Sequence, residues 1–348
     1  MILNCARSSV TPREALESLF AGNDLTHGQM TDVMGDIMKG VTTPIQTAAL
    51  VTALRYKGET VTELVAAVQV MRSLSVKVDT TGLEHVVDTC GTGGDGMHTF
   101  NISSTAAFVA AAAGARVAKH GGRAVSSSVG SADVLESLGI GMVSTTPERA
   151  QQSLRHWGLG FMFAPHHHTA MKHSVSVRRE LGVRTLFNLL GPMTNPAGAP
   201  NQLLGVFAAH FTQRLAAVLK ELGTRHAMVV HGSDGLDEIT LSGPTHVAEL
   251  HEGEIREYLF HPRQVGIEPA PLNGLLVKSA EESRYLLLSV LEDEAGPARD
   301  IVLLNAGAAL YVAGVTASHR AGVELARATL ASGAARQRLE DLVSWIRT

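Results

Sequence analysis

Val86-Val87-Asp88-Thr89-Cys90-Gly91-Thr92-Gly93-Gly94-Asp95 begins the stretch that decides the fold. It runs on through Asn101-Ile102-Ser103-Ser104-Thr105 to Lys119-His120-Gly121-Gly122-Arg123. Val86 to Thr89 reads as a strand and Gly91 to Asp95 as a turn free of crowding side chains. An alanine-rich helix then starts near Thr105, and a second short strand runs over Arg116 to Ala118. Free N–H groups at a helix start, flanked by hydroxyls, Lys119 and Arg123, make a place for phosphate. A glycine turn alone would be weak evidence, and Gly91 to Asp95 is neither a Walker loop nor a dinucleotide fingerprint. Three anion-binding pieces in close succession, two of them directly after strands, carry the signal.

Working outward, the same alternation continues. Strands are expected at Phe161 to Ala164, Leu203 to Ala208 and His226 to Val230. Helices are expected at Ala132 to Leu138, Pro147 to Trp157 and Thr212 to Leu222. This pattern implies a mainly parallel sheet covered by helices, with ligands bound beyond the carboxyl ends of the strands. His246 to Leu250 and Ile255 to Phe260 read as a hairpin around Glu252-Gly253, an antiparallel edge of that sheet. The remainder reads as helical over Asn305 to Val312, Ala321 to Leu330 and Ala334 to Ile346.

The first 75 residues read as helices with legible starts. Thr11-Pro12-Arg13-Glu14, Thr26 with Gln29, Thr43-Pro44-Ile45-Gln46 and Thr60 with Glu63 all carry the capping pattern. The methionines at helical spacing there are expected to fill a core or a subunit interface. The segment from Met171 to Pro196 is ambiguous, since its helices could cross back onto this first domain.

The bulk numbers limit the classes. A chain of 348 residues with 45% apolar content has room for two domains. A net charge of −4 gives no global attraction to nucleic acid or an anionic membrane. The two cysteines, Cys5 and Cys90, lack metal-ligand spacing and read as free thiols. No secretory signal or membrane span is apparent, and the expectation is a cytoplasmic protein.

Asp237-Glu238, just beyond the His226 strand, can offer hard oxygens to a cation, and Ser103 can add one more. His166-His167-His168 lacks the partner spacing of a metal site. Arg178, Arg179 and Arg184 lie near Lys172 and His173. One of them could clamp a carboxylate and another could pair with Glu180, and residue types alone do not choose.

The chain resembles the anthranilate phosphoribosyltransferases, which share a fold with the pyrimidine nucleoside phosphorylases. The motifs that carry the resemblance stand in order along nearly the whole chain. They are Gly91 to Asp95, Thr99 to Ser104, Lys119 to Ser127, Gly130-Ser131-Ala132-Asp133, Phe163-Ala164-Pro165, His168, Arg178 to Thr185, Phe187 to Pro192, Asn195-Pro196 and Asp237-Glu238.

The resemblance implies transfer of phosphoribose from 5-phosphoribosyl 1-diphosphate to the amino group of anthranilate, releasing diphosphate, in the second step of tryptophan biosynthesis from chorismate. A related phosphoribosyltransferase or nucleoside phosphorylase with another aromatic acceptor is the alternative. By resemblance, the sugar diphosphate is held by Gly91, Gly94, Asp95, Thr99, Asn101, Ile102, Ser103 and Ser104. Lys119, His120, Gly121, Gly122, Arg123, Ala124, Val125, Ser126, Ser127 and Ser131 complete its enclosure. Gly91, Gly122, His168 and Arg178 would meet anthranilate, and Ser103, Asp237 and Glu238 would hold two Mg2+ ions. No covalent nucleophile is expected; Lys119, Ser103, Asp237 and Glu238 position the transition state. One departure stands out: the family's Lys-His-Gly-Asn-Arg is here Lys119-His120-Gly121-Gly122-Arg123.

The implied fold is α/β, with a small N-terminal helical domain hinged to a larger sheet domain. The helical domain is expected over residues 1–80, joined by helices within 171–196, and the sheet domain over 81–170 and 197–348. The implied assembly is a homodimer through the helical domain.

Overall fold

The structure is a computed structural model, and it describes residues 10–123, 129–142 and 145–347. The chain divides into two compact units. One takes the residues up to Ser75 together with His168–Thr194, and the other takes Val76–His167 and Asn195–Thr348. The first crossing thus falls at Ser75 rather than at residue 80. The cause is local: Val76 N–H donates to His167 O at 2.9 Å and Val78 N–H to Pro196 O at 3.2 Å, tying the segment after Ser75 into the sheet unit.

The helical unit holds α1 (Pro12–Phe20), α2 (His27–Lys39), α3 (Pro44–Lys57) and α4 (Val61–Leu74). All four starts close as capping boxes, on Thr11, Thr26, Thr43 and Thr60. Each threonine hydroxyl accepts the N–H three residues on, and the Glu or Gln there accepts the threonine N–H in return. Met30, Met34, Leu50, Leu54, Leu64 and Val68 are fully buried, so these methionines fill a core. Glu63 lies in that interior. It accepts Leu25 N–H at 2.8 Å and Lys57 Nζ at 3.0 Å, which leaves no bare buried charge. Two later helices of the chain complete the unit, over Lys172–Leu181 and Leu186–Leu190; Arg72 Nε donates to Met193 O just beyond them at 2.8 Å.

The larger unit begins with β1 (Val86–Asp88), α5 (Ile102–Ala112), β2 (Arg116–Gly121), α6 (Ser131–Ser137), α7 (Pro147–Trp157), β3 (Leu159–Phe163) and the single turn α8 (Ala164–His167). The two helices of the other unit, Lys172–Leu181 and Leu186–Leu190, are α9 and α10. After them come β4 (Asn201–Gly205), α11 (Thr212–Glu221), β5 (His226–Gly232), β6 (Thr245–His251) and β7 (Glu254–Phe260). Four helices close the chain: α12 (Ala280–Leu291), α13 (Pro297–Val312), α14 (His319–Ala331) and α15 (Ala334–Arg347).

The described strands form one sheet in the order β3-β2-β1-β4-β5-β6-β7, parallel from β3 to β5 and antiparallel at β6 and β7. The hairpin turn at Glu252-Gly253 takes positive φ at both residues, the conformation a two-residue hairpin needs. Strand order reverses between β1 and β4. That reversal opens a crevice at their carboxyl ends, where the glycine turn emerges.

Several element bounds shift, among them the strand expected at Phe161 to Ala164, which runs over Leu159–Phe163. The helix after the glycine turn starts at Ile102 rather than Thr105, and β4 covers Asn201–Gly205 rather than Leu203 to Ala208. The helix expected from Asn305 begins at Pro297, eight residues earlier, and α12 has no counterpart among the expected elements. Its start nevertheless carries the usual signal, Ser279 accepting Glu282 N–H at 3.2 Å.

Candidate active site

The crevice is built by close approaches of backbone. Gly205, at the end of β4, lies so near the Asp237 carbonyl that no Cβ would fit, and a Cβ on Gly91 would meet Asp237 Oδ2 at 2.8 Å. These glycines let the β5–β6 loop lie across the ends of β1 and β4. Thr92 pins the turn, its N–H donating to Gly205 O at 2.9 Å and its Oγ1 accepting Phe207 N–H at 3.1 Å.

The β5–β6 loop is itself held rigid. Asp234 Oδ2 accepts the hydroxyls of Thr240 and Ser242, each at 2.5 Å. Asn305, wholly buried on α13, accepts Ile239 N–H at 3.0 Å and donates to Ile239 O and Ile301 O, each at 2.9 Å. The carboxylates of Asp237 and Glu238 are thereby aimed by a clamp on the next residue.

Asp237 Oδ2 accepts Gly93 N–H at 2.7 Å, and Asp237 N–H reaches Asp95 Oδ2 at 3.4 Å. Glu238 Oε1 accepts Ser103 N–H at 3.2 Å, at the positive start of α5. Buried Lys119, on β2, donates to Thr89 O at 3.0 Å and to Ser103 Oγ at 3.2 Å. Loss of water raises the pKa of Asp237, and the charges of Asp95 and Glu238 raise it further. Burial also raises Glu238, against the pull of Lys119 and Ser103. Asp88 beneath them is pushed up to about 6 by burial, held back by Asn195, Lys119 and the His120 N–H. The crevice therefore concentrates negative charge that a cation would relieve.

Asp95, Gly91, Ser103, Lys119, Asp237 and Glu238 come together here. Asn101, at the N-cap of α5, is held through Ser283 on α12: Ser283 Oγ donates to Asn101 Oδ1 at 2.7 Å and accepts Asn101 N–H at 3.1 Å. Thr99 bridges to Leu276, and Gly94 lies half-buried in the turn. The side chains of Ile102 and Ser104 are buried, so what they offer at the helix start is backbone. His120 is buried beside β1, its N–H donating to Asp88 Oδ1 at 3.3 Å, and Gly121 ends β2. Gly122 O accepts Ala132 N–H at 3.1 Å and Ser131 Oγ at 3.3 Å. The Arg123 guanidinium is held by Asp133 at 3.1 Å and Glu136 at 2.7 Å on α6. Ala124, Val125, Ser126 and Ser127 lie outside the described residues.

Cys90 is free, and burial pushes its thiol far up, which leaves it no role as a thiolate. His166 Nδ1 meets Thr145 O at 3.0 Å and His167 Nδ1 meets Val76 O at 2.8 Å, so each ring is tied to a backbone carbonyl through Nδ1.

His168 and Arg178 belong to the helical unit. Arg178, half-buried on α9, stands over the Phe187 ring at 5.5 Å; desolvation lowers its pKa, and no carboxylate among the described residues opposes that. Sequence reading missed Asp234, Ser283 and Asn305. None touches the crevice directly, and only the Ser279–Glu282 cap pointed to the helix carrying Ser283.

Residues 83–336 match the Glycosyl transferase family, a/b domain, and residues 13–75 match the Glycosyl transferase family, helical bundle domain. The anthranilate phosphoribosyltransferase of Nitrosomonas europaea is 58% identical over 336 residues, 97% of this chain and 98% of its own. That of Laribacter hongkongensis is 58% identical over 334 residues, 96% of this chain and 97% of its own. The crystal structure of anthranilate phosphoribosyltransferase from Thermus thermophilus superposes with a TM-score of 0.90 at 43% identity, covering 96% of this chain and 99% of that one. The Saccharomyces cerevisiae enzyme in complex with PRPP and Mg superposes at 0.86 with 26% identity, covering 97% and 99%.

Proposed function

We infer the activity from kinship and site together: the chain belongs to the glycosyl transferase family with a helical bundle and an α/β domain, among its anthranilate phosphoribosyltransferases. It transfers the 5-phosphoribosyl group from 5-phosphoribosyl 1-diphosphate (PRPP) to the amino group of anthranilate, in tryptophan biosynthesis. The observation that carries the reading is the set Asp95, Asp237 and Glu238 gathered beside Lys119 and the start of α5, at the switch point of the sheet.

In the reaction, the C1–O bond to diphosphate breaks and its electron pair leaves with diphosphate. The amine lone pair forms the C1–N bond, and the nitrogen then gives up one proton. An aromatic amine is already a nucleophile, so neither a strong protein base nor a covalent adduct is required. Lys119 supplies positive charge in a buried setting, where it acts more strongly than in water. The glycine turn and the first N–H groups of α5 seat phosphate oxygens. Arg178 takes the acceptor's carboxylate, which favours anthranilate over a neutral nucleobase.

The donor set fits Mg2+: hard oxygens only, with raised carboxyl pKa values that a cation would bring down. Ser103, Asp237 and Glu238 would hold two ions. When bound, Mg2+ offsets the charge growing on departing diphosphate. We further propose a cytoplasmic homodimer joined through the helical units. Ile45 and Tyr56 on α3 are 82% and 94% exposed, and Phe20 on α1 is 71% exposed, which suits a covered apolar face.

The test is a Mg2+-dependent assay with PRPP and a panel of anthranilate, benzoate, aniline and nucleobases. Ribosylated product is expected from anthranilate alone. Turnover of a neutral nucleobase would move the chain to the alternative acceptor class.

A further inference from the structure

At the far end of β5 from the crevice lies a second cluster of metal-ligating side chains. His226 opens β5 and faces His251 across the antiparallel pair with β6, and Glu249 sits two residues before His251 on the same side of β6. His226 Nε2 lies 2.8 Å from Glu249 Oε1, and the two imidazoles stack at 4.1 Å. One ligand atom from each of the three residues lies within 4.8 Å of the others. His226 is buried, Glu249 half-buried and His251 exposed, so the group opens to solvent on one side.

We propose that His226, Glu249 and His251 form a binding site for one divalent transition-metal ion of the zinc, cobalt or nickel class, distinct from the Mg2+ set. Two imidazoles and one carboxylate are the donors that such ions prefer, with a fourth position left to water. Bonds of about 2.0–2.2 Å would require the three atoms to draw somewhat closer than their present spacing. A supporting shell is already in place. Tyr258 Oη donates to Glu249 Oε2 at 2.8 Å, which orients the carboxylate with Oε1 toward His226. Tyr311 of α13 packs edge-on against His226 with ring centroids 4.8 Å apart and also borders His251.

The two sites differ in donor chemistry. The crevice offers oxygen alone and suits Mg2+, whereas the far cluster offers nitrogen and excludes Mg2+ by preference. They stand apart by the length of β5, about 20 Å at the usual rise per residue. The proposal does not rest on the transferase reading, since none of these three residues belongs to the crevice.

The test is a Zn2+ titration of the full-length protein against a chromophoric chelator, with Mg2+ held in large excess to fill the oxygen sites. A single saturable site is expected, together with a Tm that rises with Zn2+ concentration. Co2+ should bring visible d–d absorption of a low-coordinate nitrogen–oxygen site. His251→Ala, at an exposed position, should weaken Zn2+ binding roughly tenfold or more. It should also abolish the Co2+ bands and leave kcat/KM with Mg2+ unchanged. Glu249→Gln, which can keep the contact with Tyr258, should weaken binding as well. Absence of saturable Zn2+ binding under excess Mg2+, or equal affinity in wild type and both variants, would overturn the proposal.

Discussion

The crevice of the sheet unit and the α9 region of the helical unit handle charge in opposite ways. In the crevice, Asp95, Asp237 and Glu238 crowd together and are held mainly by backbone N–H groups, with Lys119 as the cation among them. On α9, Arg178 stands over an aromatic ring, and desolvation lowers its pKa with no carboxylate among the described residues to oppose it. One region gathers carboxylates, and the other sets an arginine against an aromatic ring. That division is what the proposed function asks for: a diphosphate that arrives with metal, and an acceptor that carries a carboxylate.

The severest way to break the division is to empty the crevice of its charge. Asp237→Ala combined with Glu238→Ala should lower kcat on the order of 10²–10³-fold. Tm should change far less than the rate, because relief of two crowded carboxylates offsets the loss of their contacts with Gly93 N–H, Ser103 N–H and Lys119. Initial rates against Mg2+ concentration, with calorimetry in parallel, check both halves. A rate near wild type with unaltered Mg2+ dependence would count against the assignment.

A second variant asks whether geometry, rather than charge alone, matters there. Asn305→Ala strips Ile239 of its clamp and leaves a buried N–H and C=O unpaired, at a cost of about 2–4 kcal/mol in stability. The midpoint for Mg2+ activation should also rise, since the Asp237-Glu238 backbone loosens. A purely structural residue would lower Tm and leave that midpoint where it was.

Arg178→Ala addresses the other side of the comparison. Losing one charge-assisted contact with a carboxylate is worth about 1.5–3 kcal/mol, or roughly 10–150-fold in kcat/KM for anthranilate. KM for PRPP should stay close to wild type. If the loss fell on PRPP instead, the division between the two regions would fail.

The smallest expected effect is Gly122→Asn. Among the described residues a Cβ there meets nothing within 4 Å, so the substitution has room on that side. An added amide that gains one neutral hydrogen bond is worth roughly 0.5–1.5 kcal/mol, a gain of about 2–12-fold in kcat/KM for anthranilate. No gain in a correctly folded variant would mean that the side chain the family carries at this position has been replaced by other contacts here.

What could be read from the residues was whatever depends on neighbours in the chain. Thr11, Thr26, Thr43 and Thr60 announced four helices because a cap and its partner lie three residues apart. Val86 to Asp95 announced a strand leading into a glycine turn, and alternating strands and helices announced a parallel sheet. The motifs from Gly91 to Glu238 were enough to mark the family resemblance. Other features were settled only in three dimensions. The segment around α9 and α10 was ambiguous, because amphipathic helices record that they pack but not on what. Asp237 and Glu238 could be read as cation ligands, but their burial against the glycine turn, which Gly205 and Gly91 permit, could not. Arg123 seemed part of the anion cradle, yet Asp133 and Glu136, ten and thirteen residues on, hold its guanidinium. Asn305 drew no notice in a helical stretch, although it clamps a loop 66 residues earlier in the chain. Local propensities and caps are carried by adjacent residues and survive in the sequence. Desolvation, charge crowding and long-range hydrogen bonds arise only when distant segments meet, so the tertiary structure decided them.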